Sequence, residues 1–251
     1  MSSKFLLSLP WLLAAAVLAA GCEQVRSDGD RPETALAFPE PDRPVSDLGA
    51  NRFSNETARD SVGEAQKVMD LSEIREGMTV ADIGAGEGYY TVRLAERVGA
   101  SGRVLAQDID RDALTRLGER VNRERLDNVS IKPGAADDPR LPERSFDRIF
   151  LVHMYHEVSE PYAFLWRLWP ALRENGEVIV VDVDRPTDQH GIDPLLLSCE
   201  FKRVGFELVQ YSDEPELAGY YAKFKAAATR PEPQDIRPCR GTSGHGPNAA
   251  N

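Results

Sequence analysis

Between Met78 and Arg97 an apolar run breaks into three closely spaced glycines and then resumes with the spacing of an amphipathic helix. Few folds accommodate that order. Met78 to Ile83 predicts a short, fully buried strand, and Gly84, Ala85, Gly86, Glu87 and Gly88 turn the backbone into a helix over Tyr89 to Arg97. Glycines without Cβ atoms let the chain take left-handed dihedrals and let a ligand lie against bare backbone, beneath the N–H groups that open a helix. Twenty residues after Gly88, Asp108 closes a second predicted strand, Arg103 to Asp108, where a carboxylate can accept both hydroxyls of a ribose.

The glycine spacing separates the nucleotide-type ligands that use such a turn. A dinucleotide fingerprint needs its third glycine five positions after the first, and Tyr89 stands there, which disfavours NAD. A Walker-type phosphate loop needs Lys and then Ser or Thr after its last glycine, and two tyrosines follow instead.

Downstream, helix and strand signals alternate. Asn55 to Met69 predicts a first helix, with Ser54 as its N-cap, and Asp110 to Glu124 another. Val129 to Lys132, Phe146 to Val152 and Gly176 to Asp182 read as strands, with a helix over Glu160 to Leu172 and another over Leu195 to Val204. Phe206 to Gln210 and Tyr220 to Phe224 form a terminal pair. Such alternation calls for an α/β architecture, a largely parallel sheet covered on both faces.

Asp82-x-Gly84-x-Gly86-x-Gly88 resembles motif I of the class I S-adenosylmethionine (SAM) dependent methyltransferases, and the likeness continues along the chain. Gly134-Ala135-Ala136-Asp137-Asp138 is similar to the family's adenine-facing turn, with Ala135 where many members carry Asp. Phe146 to Val152 with His153-Met154-Tyr155-His156-Glu157 resembles motif IV and the segment after it. Leu172-Arg173-Glu174-Asn175-Gly176 resembles the turn before strand five, and Arg203-Val204-Gly205-Phe206 a late turn. The resemblance spans roughly Arg59 to Phe224. It implies a three-layer Rossmann-like sandwich with a mostly parallel seven-stranded sheet and an antiparallel last strand. It also implies S-adenosyl-L-methionine as cofactor, with contacts from Asp82, Gly84, Ala85, Gly86, Gly88, Asp108, Ile109, Asp137 and Val152. For the adenine N6 partner Asp137 stands first and Asp138 second. Asp82, ending the first strand, either orients the loop or cofactor or braces the helix that follows.

Methyl transfer from SAM is an in-line displacement at carbon, so placement and desolvation can carry most of the catalysis. A base is needed only where the acceptor carries a proton that must leave. His153, Tyr155, His156, Glu157 and Asp184 are the polar groups expected near a small-molecule acceptor. His156 is the candidate base; the alternative is a histidine capping the segment after strand four through a backbone carbonyl. His153, His156, Asp182, Asp184 and His190 show no spacing of a known metal motif, so no metal site is expected. Trp166 and Trp169 read as packing for their helix.

Outside the domain, Lys4, the apolar run Phe5 to Ala20 and Ala19-Ala20-Gly21-Cys22 predict a secretory signal over residues 1–21. Ala19-Ala20-Gly21-Cys22 resembles a bacterial lipobox, with Leu18 one place earlier than the usual leucine, which implies lipidation of Cys22 and an exported, envelope-anchored protein on the periplasmic face; the alternative is an incidental Cys22 near an ordinary signal cleavage site. Residues 22–52 and 230–251, rich in Pro and in charged or small polar residues, are expected to be a disordered tether and tail around a domain over 53–229. Cys199 and Cys239 could pair in an exported protein, but the loose context of Cys239 favours at least one unpaired thiol. The formal charge of −11 becomes −12 without Lys4, and no basic cluster suits a nucleic-acid track. Membrane contact is expected only through Cys22, and oligomeric state stays open. Export conflicts with the cytoplasmic supply of SAM, so two readings stand: a SAM-dependent methyltransferase, or an envelope-anchored, non-catalytic module that keeps a SAM or S-adenosylhomocysteine pocket.

Overall fold

The computed structural model describes residues 31–46, 55–217 and 219–240. The signal segment, Cys22 and the last eleven residues of the tail lie outside the described residues.

The first helical region is two helices, α1 (Glu56–Ser61) and α2 (Glu64–Leu71). Gly63, at φ 65°, breaks the single helix predicted there, and Asn55 serves as N-cap by accepting from the Ala58 amide. The chain then alternates through β1 (Thr79–Ile83), α3 (Tyr89–Val98), β2 (Arg103–Asp108), α4 (Arg111–Glu124), β3 (Val129–Pro133) and β4 (Phe146–Val152). After β4 come α5 (Pro161–Leu168), β5 (Leu172–Asp182), α6 (Pro194–Arg203), β6 (Phe206–Glu214) and β7 (Gly219–Ala226). Asp110 and Asp193 cap α4 and α6, each accepting from two backbone amides of the first turn. Pro170 has no N–H to continue α5, so the chain tightens into a 3-10 turn at Trp169–Ala171, and β5 starts four residues earlier than the predicted strand.

Among the described residues the strands make one sheet in the order β3-β2-β1-β4-β5-β7-β6. The first five strands pair in parallel, and β7 runs antiparallel between β5 and β6. This is the expected Rossmann-like sandwich. Order reverses between β1 and β4, so the crevice at their C-terminal ends is the switch point where ligands of such sheets bind.

Alternate residues of the central strands feed two separate cores. Ala81, Ile83, Ile149, Leu151, Val178 and Val180 pack with α5 and α6, whereas Val80, Phe150, Ile179 and Val181 pack with α2 and α3. Burial on both faces explains why these strands read as continuous apolar runs. Trp166 and Trp169 lean on the first core and donate to Pro231 O and Gly205 O, as packing residues.

Within the two segments read as disordered from composition, the described residues 31–46 and 230–240 pack onto the fold. In the expected tether, Ala35 and Phe38 join the first core. Arg43, with a side chain 1 % exposed, places Nε 2.8 Å from Glu200 Oε1 and donates through Nη2 to Val158 O. In the expected tail, Ile236 is buried, and Cys239 forms a disulfide with Cys199, which corrects the expectation of an unpaired thiol. Each segment supplies only a few anchors. Low average hydrophobicity conceals them, because ordering depends on the few side chains that find a partner in the fold.

Candidate active site

The glycine turn leaves β1 at Ile83 and enters α3 at Tyr89, and its three glycines hold φ values of 68°, 53° and 91°. Gly88 is required by packing, since a Cβ there would lie 2.4 Å from Leu117 Cδ1. Gly86 differs: a Cβ there would meet nothing within 4 Å, so its backbone faces open space. Asp108 Oδ2 accepts from the Gly86 amide at 2.8 Å, and Oδ1 accepts from the Asp110 amide at 2.9 Å. The carboxylate thus faces the turn. Two of its roughly four lone-pair sites are used by these bonds, leaving capacity for the hydroxyls of a sugar. A nucleoside cradle of exposed backbone beside an oriented carboxylate fits a SAM-type cofactor. Ala85 is buried in the turn and donates to Gln107 O, tying it to β2. Ile109 is 37 % exposed beside Asp108, and Val152 is half-buried at the end of β4.

Asp82 lies beneath the turn and is 3 % exposed. Its Oδ2 accepts from Thr91 Oγ1 at 2.6 Å, so the carboxylate braces the first turn of α3. Burial pushes its pKa up to about 6, with the Thr91 hydrogen bond opposing the rise.

A second polar cluster ties α1 and α2 to α3. Arg59 stacks over the Tyr89 ring at 3.8 Å and pairs with Glu64, which also accepts from Tyr90 Oη at 3.0 Å. Burial alone would raise the Glu64 pKa, but His153 and Arg59 overcome it and bring it down to about 2. His153, at φ 53°, places Nε2 3.7 Å from Glu64 and turns the chain out of β4.

Asp137, the first choice for adenine, has another occupation. Its Oδ2 accepts from Thr34 Oγ1 at 2.6 Å and from Arg167 Nη1 at 2.7 Å, so it clasps the N-terminal segment to α5. Nothing in the sequence pointed to Thr34, which belongs to the segment read as tether. Asp138 Oδ1 accepts from the Arg140 amide, so both acids of this turn bind the protein itself.

Beyond β4, Tyr155 is fully buried and donates to Glu200 Oε2 at 2.8 Å, which removes it from the expected acceptor group. Asp184 is exposed past the end of β5. His156 is fully buried, and its Nδ1 lies 2.9 Å from Asp182 Oδ1 at the end of β5. Nδ1 therefore faces a carboxylate. With Asp182 accepting, Nδ1 carries the proton and Nε2 the lone pair. His190, from the turn after β5, brings its ring centroid to 5.8 Å from that of His156.

Known proteins match this arrangement. Residues 80–176 match the family described as a methyltransferase domain. A ubiquinone/menaquinone biosynthesis C-methyltransferase, UbiE, of Idiomarina loihiensis is 30% identical over 120 residues, covering 47% of each protein. Its Enterobacter counterpart is 28% identical over 133 residues, covering 51% of this chain and 49% of the relative. The chain thus spans about half the length of the curated relatives it matches. In fold it is similar to a SAM dependent methyltransferase from Aquifex aeolicus, with TM-score 0.61, 24% identity and coverage of 67% of this chain and 92% of that one. The [4+2]-cyclase SpnF superposes with TM-score 0.60 at 16% identity, covering 78% and 92%. A Haemonchus contortus phosphoethanolamine N-methyltransferase in complex with S-adenosylhomocysteine gives 0.55 at 20%, covering 71% and 46%. At these identities the structural likeness speaks for the fold. Residues 80–176 thus match a methyltransferase domain, and the sheet order around them is that of the Rossmann-like methyltransferase fold.

Proposed function

We propose that the chain binds S-adenosyl-L-methionine over the Gly84–Gly88 turn and transfers its methyl group to a small-molecule acceptor in the crevice between β1 and β4. One observation carries the reading: Asp108 is oriented by the Gly86 amide, while the Gly86 backbone opens onto unfilled space. The cofactor supplies an activated methyl group on a sulfonium. The chain supplies placement, with Asp108 on the ribose, Gly84, Ala85, Gly86 and Gly88 beneath the nucleoside, and Asp82 holding the turn from below through Thr91. Ile109 and Val152 flank the same edge. Asp137 holds Arg167 and Thr34 through Oδ2, so the adenine contact proposed for it would fall to Oδ1. Where the acceptor carries an ionisable proton, His156, oriented by Asp182, is the residue to receive it.

Calorimetry on the full-length protein with SAM and S-adenosylhomocysteine tests the first half of this reading. We expect saturable binding to both, and no detectable heat with either would overturn it. Transfer of a labelled methyl from SAM tests the second half, using a panel of small acceptors that includes ubiquinone and menaquinone precursors because of the UbiE likeness.

We further propose an exported protein anchored through Cys22. The Ala19-Ala20-Gly21-Cys22 run supports this, and so does the Cys199–Cys239 disulfide, a bond typical of oxidising compartments. Among the described residues no helix is long and apolar enough to cross a membrane. Metabolic labelling with a fatty-acid probe should mark the native chain and not Cys22→Ala; equal labelling would remove the anchor.

A further inference from the structure

Two short turns at the C-terminal end of the sheet converge. Tyr155–Glu157 follows β4 and Thr187–Gln189 follows β5, and between them His156, Glu157 and His190 each bring one ligand-type atom to within 4.8 Å of the others. Nε2 of His156 lies 4.0 Å from Glu157 Oε1. We propose that these three side chains form a site for a divalent transition-metal ion of the zinc class.

Donor type points to such an ion. Two imidazole nitrogens and one carboxylate suit zinc and its neighbours, whereas calcium and magnesium prefer oxygen alone. Three protein ligands also leave a fourth position open, as in catalytic rather than structural zinc sites.

The surroundings are built for it. Asp182 holds Nδ1 of His156 at 2.9 Å, the outer carboxylate that fixes a metal-binding histidine in orientation and tautomer. Ser46 holds the other turn, accepting from the His190 amide at 3.1 Å while its hydroxyl donates to Thr187 O. Nδ1 of His190 is buried and finds no hydrogen-bond partner among the described residues, an expense that a bound ion or a metal-bound water would relieve. Glu157 contributes one formal negative charge and Asp182 a second beside it, complementing a dication. Tetrahedral bonds of about 2.0–2.1 Å would put ligand atoms about 3.4 Å apart, so the three need to close by little more than about 1 Å.

With the ion bound, His156 is a ligand and no longer a base, so metal binding and the proton-accepting role are exclusive. Binding does not depend on methyl transfer, and its test makes no use of SAM. The full-length protein, stripped with chelator and dialysed, is titrated with Zn2+ against a chromogenic competitor, then loaded with Co2+ and its visible spectrum recorded. We expect one equivalent of zinc and a cobalt spectrum of four-coordinate type. Asp182→Asn should bind zinc about 10–100-fold more weakly. His190→Ala, at a partly exposed turn that spares the core, should lose most of the affinity while keeping the native thermal transition. His245→Ala should bind as the native chain does. Absence of stoichiometric zinc, or affinity unchanged in both His190→Ala and Glu157→Gln, would overturn the site, as would loss of binding in His245→Ala alone.

Discussion

Asp108 accepts the Gly86 amide at 2.8 Å, so the acid expected to grip a ribose is also the group that holds the glycine turn in shape. On the proposed function, one side chain couples loop geometry to ligand recognition. Asp108→Ala should weaken SAM and S-adenosylhomocysteine binding by about 10–100-fold, the worth of a charge-assisted hydrogen bond lost together with loop order. Isothermal titration reads this directly. Affinity within twofold of the native chain would remove Asp108 from the site.

Gly86 provides a separate check, because packing does not demand a glycine there. Gly86→Ala forces an alanine to φ 53°, a strain of about 1–2 kcal/mol, and places a methyl group in the open space above the turn. The variant should remain folded, with a small fall in melting temperature and a disproportionate loss of cofactor affinity. Loss of stability alone would mean that the space is not used.

Asp82 makes stability depend on pH in a direction unusual for a carboxylate. Its folded-state pKa of about 6 lies above the ordinary value of 3.8, so the native protein binds more protons than the unfolded chain between those limits. The neutral acid's contribution is full below about pH 4 and is lost as pH rises through about 6, on the order of 3 kcal/mol in total. Asp82→Asn should flatten that part of the profile and be the more stable protein at pH 7. Denaturant melts at pH 4.5 and 7 would show it, and parallel profiles for the two proteins would refute it.

Arg43 reaches from the N-terminal segment into the fold and pairs with Glu200, with both side chains 1 % exposed. Removing the cation strands a buried carboxylate that also receives the Tyr155 hydroxyl. Arg43→Ala should cost about 3–5 kcal/mol, whereas a paired Arg43→Met, Glu200→Leu protein should recover most of it. Chemical denaturation of the three proteins decides the matter; an Arg43→Ala loss under about 1 kcal/mol would show the pair to be dispensable.

The Cys199–Cys239 disulfide bridges a separation of 40 residues and pins the C-terminal segment to α6. Its reduction, or the double Cys199→Ser, Cys239→Ser variant, should lower stability by about 2–4 kcal/mol. Thermal melts with and without reductant measure it, and identical melts would mean that the segment holds without the bond.

The sheet, its two helical layers and the glycine turn were legible in the sequence because each rests on local chemistry. β strands buried on both faces must be apolar at every position, as Val178 to Val181 are, and a backbone at positive φ favours glycine, as at 84, 86 and 88. Asp108 was legible for the same reason, since a fixed spacing from the turn places it at the end of the neighbouring strand. Boundaries were less so. Gly63 divides the first helix and Pro170 shortens α5, local signals outweighed by the apolar period around them.

What only the tertiary structure decided is which distant side chains meet. His156 and His190 stand 34 positions apart and match no spacing rule, yet parallel strands β4 and β5 end side by side and deliver their turns to one place. Thr34 with Asp137, Arg43 with Glu200 and Cys199 with Cys239 likewise lie far apart in sequence, and one member of each pair stands in a segment whose composition argued for disorder. Periodicity and turn chemistry act over a few residues and are written in the chain itself. Partnership across the fold depends on where the backbone returns, and that is settled only when the whole sheet has closed on its helices.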